Sequence, residues 1–165
     1  PASNCYLGEG IAPITEMIKQ GLTVGLGTDG PASNNNHDMI FIIKLTALLQ
    51  KVKYLKPEAI SAETVLRLAT IEGAKCVGLE KIIGSLEIGK KADLSIFDLS
   101  SLNTVTLHDP IKSIVYSSNQ SNVRDVIING KFILKRGKFL EQNENDVIAN
   151  SQFLGEELVN KLNMN

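Results

Sequence analysis

The residues best suited to chemistry gather near the start of the chain, around one carboxylate. In Val24-Gly25-Leu26-Gly27-Thr28-Asp29-Gly30 a short apolar segment ends in glycine and places Asp29 where a buried strand meets a loop. A carboxylate at the carboxyl end of a barrel strand faces the substrate and can take and return a proton. The competing reading is local, because an Asp in Thr-Asp-Gly can also cap the next helix or close an Asx turn. The adjoining loop, from Pro31 to Met39, is polar and turn-rich. Its Ser33 and Asn34 can touch a substrate or hold the loop, and helix capping is open to the Asn run. Ser3 and Asn4 fall at the expected end of the preceding strand, a place for substrate-facing or supporting side chains. His37 is a lone histidine, for which a structural place outweighs a metal role. His108, in His108-Asp109-Pro110, begins a turn.

Positioning these side chains takes strands and helices in alternation. Ile14, Met17 and Ile18 share one face of a short helix that Gly21 ends. The strand carrying Asp29 comes next, then a helix expected over Asp38–Tyr54, which Pro57 separates from the element after it. Ser61-Ala62-Glu63-Thr64 offers a capped start to a further helix reaching about Ala74. Beyond Gly84 the texture changes to short strand-like pieces. Ala92–Phe97 alternates, Ser113-Ile114-Val115-Tyr116 is a compact apolar run, and Val126–Leu134 is a hairpin around Asn129-Gly130. A second turn at Arg136-Gly137 leads to Phe139-Leu140. The tail, Asn143–Asn165, repeats apolar residues at helical spacing and is expected to pack on the domain as a terminal helix. The fold class is therefore α/β. Residues 1–80 are expected to form βα units of a barrel, 81–141 part of a small β-sandwich with exposed edges, and 142–165 a carboxyl-terminal helix.

Composition bounds the function. The chain has 165 residues, 43% hydrophobic and 21% charged, enough for a core. A formal net charge of -1 and the lack of a basic cluster argue against a nucleic-acid partner. No apolar run approaches membrane-spanning length, so no membrane partner is expected. Cys5 and Cys76 lie far apart with no metal-like spacing, which suits free thiols in a reducing cytoplasm.

Five stretches occur in order: Pro-Ala-Ser-Asn at 1–4, Gly-x-Gly-Ile-Ala-Pro at 8–13, the block from Gly25 to Met39, Ile83–Leu94, and Asp125–Lys131. Together they resemble the metal-dependent amidohydrolases, and within them the deaminase branch acting on S-adenosylhomocysteine and methylthioadenosine, with its related chlorohydrolases. The agreement runs from Pro1 to about Leu140. It implies a (β/α)8 TIM-type barrel with a flanking sandwich, and makes Asp29 the family's last metal-site carboxylate, at or beside a divalent cation. Zinc is the expected metal, with iron and manganese left open by residue type. The implied substrate is a small adenosine-type nucleoside, hydrolysed at its exocyclic amine to the inosine form plus ammonia. A guanine- or triazine-type aminohydrolase or a chlorohydrolase is the neighbouring alternative. The family's early His-x-His pair, its third His and its proton-transfer acid have no match in these residues. The expectation is thus a carboxyl-terminal fragment, inactive alone, whose partner is the missing amino-terminal part of its own chain. A non-catalytic structural piece is the alternative of another class, and a homo-oligomer is left open. His37 stands where the family pattern usually has an apolar residue, commonly Leu.

Overall fold

The computed structural model describes residues 1–106 and 108–163. The chain opens with α1 (Ala2–Leu7), closed by Gly8 in the left-handed region at φ 69°. Ser3 and Asn4 therefore sit on a helical turn rather than at a strand end. A barrel strand needs hydrogen-bonded neighbours, and the described residues offer Pro1–Asn4 none, so local helical bonds prevail. The next helix, α2 (Ile14–Lys19), ends as expected just before Gly21, whose φ is 78°.

Residues 22–30 do not form a strand among the described residues. Val24 and Leu26 are half-buried against the core, while Gly25, Gly27 and Asp29 are exposed, the alternation of an extended chain without a ladder. One cross-chain bond anchors it, from Leu26 N–H to the Leu68 carbonyl at 3.0 Å. That bond also explains a break the periodicity hides. The expected helix from Ser61 to Ala74 is two helices, α5 (Ala62–Leu68) and α6 (Ile71–Cys76), once the single turn α3 (Pro31–Asn34) and the long α4 (Met39–Tyr54) have been passed. The Leu68 carbonyl, which a continuous helix would offer to Glu72, accepts from Leu26 instead, and Thr70 Oγ donates back to Leu66 O at 2.9 Å. Gly25 is needed at the crossing: a Cβ there would lie 3.0 Å from Gly73 Cα and 3.1 Å from Cys76 Sγ.

The core lies between α2, α4 and α5 and is made by Ile14, Ile43, Ala47, Ile60, Ala62, Val65, Leu68 and Val115. A fully buried aliphatic side chain such as Val65 contributes roughly 1.5–3 kcal/mol. Val115 reaches this core from a segment whose composition suggests a strand. Asp109 instead caps a helix, accepting from Lys112 N–H at 3.0 Å. Pro110 starts α7 (Pro110–Lys112), which widens into a π-helical turn at Ser113–Ser117. A four-residue apolar run reads alike in a buried strand and a buried helix, and the Asp-Pro start decided the matter. Lys51 Nζ donates to the Tyr116 hydroxyl at 2.9 Å, tying α4 to this turn.

The strand-like carboxyl half forms one antiparallel sheet in the order β1 (Leu94–Phe97), β2 (Val123–Ile128), β3 (Lys131–Lys135), β4 (Lys138–Phe139). Both expected turns are present: Asn129 and Gly130 have φ 50° and 79°, Arg136 and Gly137 φ 51° and 73°. The described residues supply a single layer, with no second sheet facing it. The terminal helix α8 (Glu144–Asn163) exists but does not pack, since none of its residues is buried and Val147, Phe153, Leu154, Leu158 and Leu162 are 48–67% exposed. Helical spacing specifies a face; it does not supply the surface that face meets. Met164 and Asn165, at the end of the expected helix, lie outside the described residues. No helix among the described residues is long and apolar enough to cross a membrane.

Candidate functional site

Asp29 stands exposed where the extended segment turns into α3. Its backbone is left-handed, φ 65°, a conformation Asp tolerates better than most residues because its side chain bonds locally. Here Gly30 N–H donates to Asp29 Oδ1 at 2.7 Å. That bond holds the Asp29 carboxyl below the ordinary aspartate value, and the hydroxyls of Ser3 and Ser33 push it the same way. The result is a carboxylate kept charged in water, with Ser3 from α1 and Ser33 from α3 beside it.

The loop around it is tied by side chains. Asn34 is 1% exposed, and its Nδ2 donates to Thr28 O at 2.6 Å and to Asn36 O at 2.7 Å. Ser33 Oγ donates to Gly30 O at 3.1 Å. Asn35 closes α3 with φ 57°. Thr28 Oγ and His37 Nδ1 lie 3.2 Å apart, so the lone histidine touches the residue preceding Asp29. Asp38 caps α4, its Oδ1 accepting from the N–H groups of Ile40 and Phe41 at 2.8 and 3.1 Å. Its Oδ2 accepts from Gln120 Nε2 at 3.1 Å, linking the loop to the approach of β2.

Of the four polar candidates read from the sequence, Ser3 and Ser33 lie near enough to Asp29 to lower its carboxyl, while the Ser33 hydroxyl proton goes to Gly30 O. Asn4 Nδ2 donates to Glu9 Oε2 at 2.9 Å within its own turn. Asn34 lies beneath the loop, with its amide spent on backbone. Thr28 and Gln120 are loop-holding residues that sequence reasoning misses. Thr28 carries a signal, adjacency to Asp29, whereas Gln120 is 82 residues from its partner and carries none.

Asp29 suits a divalent cation as one ligand: exposed, charged, and fixed through one oxygen by a backbone donor, the support that ligating carboxylates receive. Among the described residues no three His, Cys, Asp or Glu side chains come together to hold a metal ion. Further ligands for a closed site would have to come from outside them.

Residues 1–133 match the family model described as Amidohydrolase family. A 5-methylthioadenosine/S-adenosylhomocysteine deaminase of Syntrophus aciditrophicus is 40% identical over 156 residues, 94% of this chain and 35% of that protein. A 5'-deoxyadenosine deaminase of Methanopyrus kandleri is 42% identical over 158 residues, 96% of this chain and 36% of its own length. Among solved structures, an adenosine deaminase from Xanthomonas campestris with bound zinc superposes with a TM-score of 0.94 at 34% identity, covering 97% of this chain and 36% of that one. An atrazine chlorohydrolase of Arthrobacter aurescens complexed with zinc gives 0.85 at 31% identity, over 93% and 34%. The chain spans about a third of the length of the relatives it matches.

Proposed function

This chain belongs to the amidohydrolase family, and on that premise we propose that it acts as the carboxyl-terminal third of a metal-dependent hydrolytic deaminase of adenosine-type nucleosides. In this proposal residues 1–80 complete the barrel, 81–141 contribute to a sandwich beside it, and 142–165 form a terminal helix. What carries the reading is Asp29, a carboxylate held charged at the mouth of the loop, within a stretch where two adenosine-type deaminases are 40% and 42% identical.

A divalent cation, zinc by the ligand chemistry of such sites, supplies acidified water at neutral pH when bound. This chain supplies one ligand and its support, and in the proposal the remaining ligands come from outside it. Asp29 serves as one ligand through its carboxylate, and as the base that takes a proton from the attacking water and returns it to the departing nitrogen. The water oxygen bonds to the ring carbon bearing the exocyclic amine and the carbon–nitrogen bond breaks. One water proton passes through Asp29 to the departing nitrogen, which leaves as ammonia, and the other ends on the adjacent ring nitrogen of the inosine form, delivered by the acid expected outside these residues. Gly30 N–H fixes Oδ1, so the carboxylate enters the reaction already oriented. Ser3 and Ser33, beside the carboxylate, and Asn4, on the same helical turn as Ser3, are the proposed substrate contacts.

The test is ammonia release by the full-length gene product with zinc. S-adenosylhomocysteine, methylthioadenosine, 5'-deoxyadenosine, adenosine and guanine are compared as substrates, and wild type with Asp29→Asn. Preference for the 5'-modified adenosines, with kcat/KM falling about 10²–10⁴-fold in the variant, is the expected result. Release from none of the five, or an Asp29→Asn enzyme as fast as wild type, would sink the proposal. The 165-residue chain alone is expected to release no ammonia, because one ligand does not hold a catalytic metal.

A further inference from the structure

We propose that Asn34 is the positioning residue for Asp29, its buried amide clasping the carbonyl oxygens of Thr28 and Asn36 so that the loop holds the carboxylate outward. The inference rests on the reading of Asp29 as metal ligand and proton carrier, and on three observations.

A residue with a Cβ at φ 65° stays there only when its surroundings over-determine it. The Gly30 N–H bond orients the Asp29 carboxyl, but it joins adjacent residues and does not tie the turn across the loop. A tie across the loop has to come from a side chain further along it. Asn34 Nδ2 supplies it: the Thr28 carbonyl belongs to the peptide unit entering Asp29, and the Asn36 carbonyl lies on the far side of the loop. One planar amide thereby sets the distance between the loop's two limbs.

Asn34 Oδ1 points to the same role. It is buried and has no donor among the described residues. Both hydrogen bonds this side chain makes in the loop run through its nitrogen. The third observation is closure at Thr28: its carbonyl is held by Asn34, and its hydroxyl lies within hydrogen-bond distance of His37. The residue before the carboxylate is thus held by both its polar groups.

The experiment compares wild type, Asn34→Ala, Asp29→Asn and Asn122→Ala in the full-length protein, reading zinc affinity by chelator competition, kcat and KM separately, and amide exchange in the metal-free state. Asn122 is the matched control. It is also fully buried, with Nδ2 donating to Asp98 O and Ser101 Oγ, and it bonds to neither limb of the loop. The turn it closes carries Gln120, so Gln120→Ala is measured beside it to separate the loss of the Asp38 contact. Asn34→Ala is expected to lower zinc affinity and kcat about 10–100-fold with KM little changed, and to speed exchange at the Ser33, Asn34 and Asn35 amides. Asn122→Ala is expected to bind zinc as wild type does. Wild-type zinc affinity in Asn34→Ala, or an equal loss in Asn122→Ala, overturns the inference. If Asp29→Asn leaves zinc affinity unchanged, the metal reading of Asp29 fails instead, and the exchange rates alone decide whether Asn34 holds the loop. Should Asn34→Ala fail to fold, the metal-free wild type decides: slow exchange at those three amides supports the clasp, and rates of an open loop refute it.

Discussion

The loop that carries Asp29 and the hairpins that end the sheet both depend on residues at positive φ, and they are held in opposite ways. In the hairpins Asn129-Gly130 and Arg136-Gly137 turn the chain so that flanking backbones pair, with Val126 opposite Leu134 and Leu134 opposite Phe139. The ladder bears the geometry, and most side chains on it are free to differ. In the loop, Asp29 and Asn35 turn the chain with no ladder to receive it. Side chains do the tying: Asn34 to two carbonyls, Asp29 to Gly30, Asp38 to the start of α4. A turn held by backbone is robust and presents little. A turn held by side chains is fragile and leaves a carboxylate facing outward.

That contrast can be broken at its strongest point first. Asn34→Ala strips the donor from two carbonyls at a buried position and should cost about 1–3 kcal/mol, read as a fall in the urea midpoint of the full-length protein. A change within a few tenths would mean that water replaces the amide and that the loop is no more side-chain-dependent than the hairpins. Next comes Gly130→Ala, which puts a Cβ at φ 79° but leaves the ladder intact; about 1–2 kcal/mol is expected, from backbone strain alone. A larger loss than that of Asn34→Ala would reverse the comparison. Asp38→Ala removes a helix cap and should cost about 1 kcal/mol, visible as faster amide exchange at Ile40 and Phe41.

The smallest effect separates two exposed carboxylates. Asp29 is held below the ordinary aspartate value first by Gly30 N–H, and Asp98, at the end of β1, first by the Ser100 hydroxyl and then by Ser100 N–H. Because each folded value lies below the unfolded one, these bonds contribute stability above the unfolded aspartate range, and the contribution is lost as pH falls through the folded value. Carboxyl NMR titration of the metal-free protein should find both midpoints low. Zinc should then displace the Asp29 titration and leave that of Asp98 in place, whereas a joint response would show that the metal acts on the fold rather than at the loop.

Much of this was legible in the residues because the signals were local. Asp38 and Ser61 each accept from backbone N–H groups one turn ahead, so the starts of α4 and α5 are set by their neighbours. Asn129-Gly130 is a hairpin turn wherever strands flank it. Asp29 at the end of an apolar run, and the ordered stretches around it, point to the family through residue type and order alone. The readings that changed share one cause: each depended on a partner distant in sequence. Val24–Gly27 has the composition of a strand but, among the described residues, no strand beside it, and Ala2–Asn4 folded into a helix for the same reason. The helix after Ser61 broke because the Leu68 carbonyl was taken by Leu26. Ser113–Tyr116 coiled into the core behind an Asp-Pro cap, and α8 kept its apolar face exposed.

The same division runs through the site. Sequence alone determined which groups are present, the carboxylate with serines and asparagines around it, because residue type and near-neighbour spacing set what a side chain can donate, accept or ionise. Only the tertiary structure decided what each group does. Ser3 comes to Asp29 from a separate helix, Asn34 turns its amide inward, and Gln120 reaches Asp38 across 82 positions. Those outcomes depend on which donors and acceptors are buried together, and burial is a property of the packed chain rather than of any stretch of it.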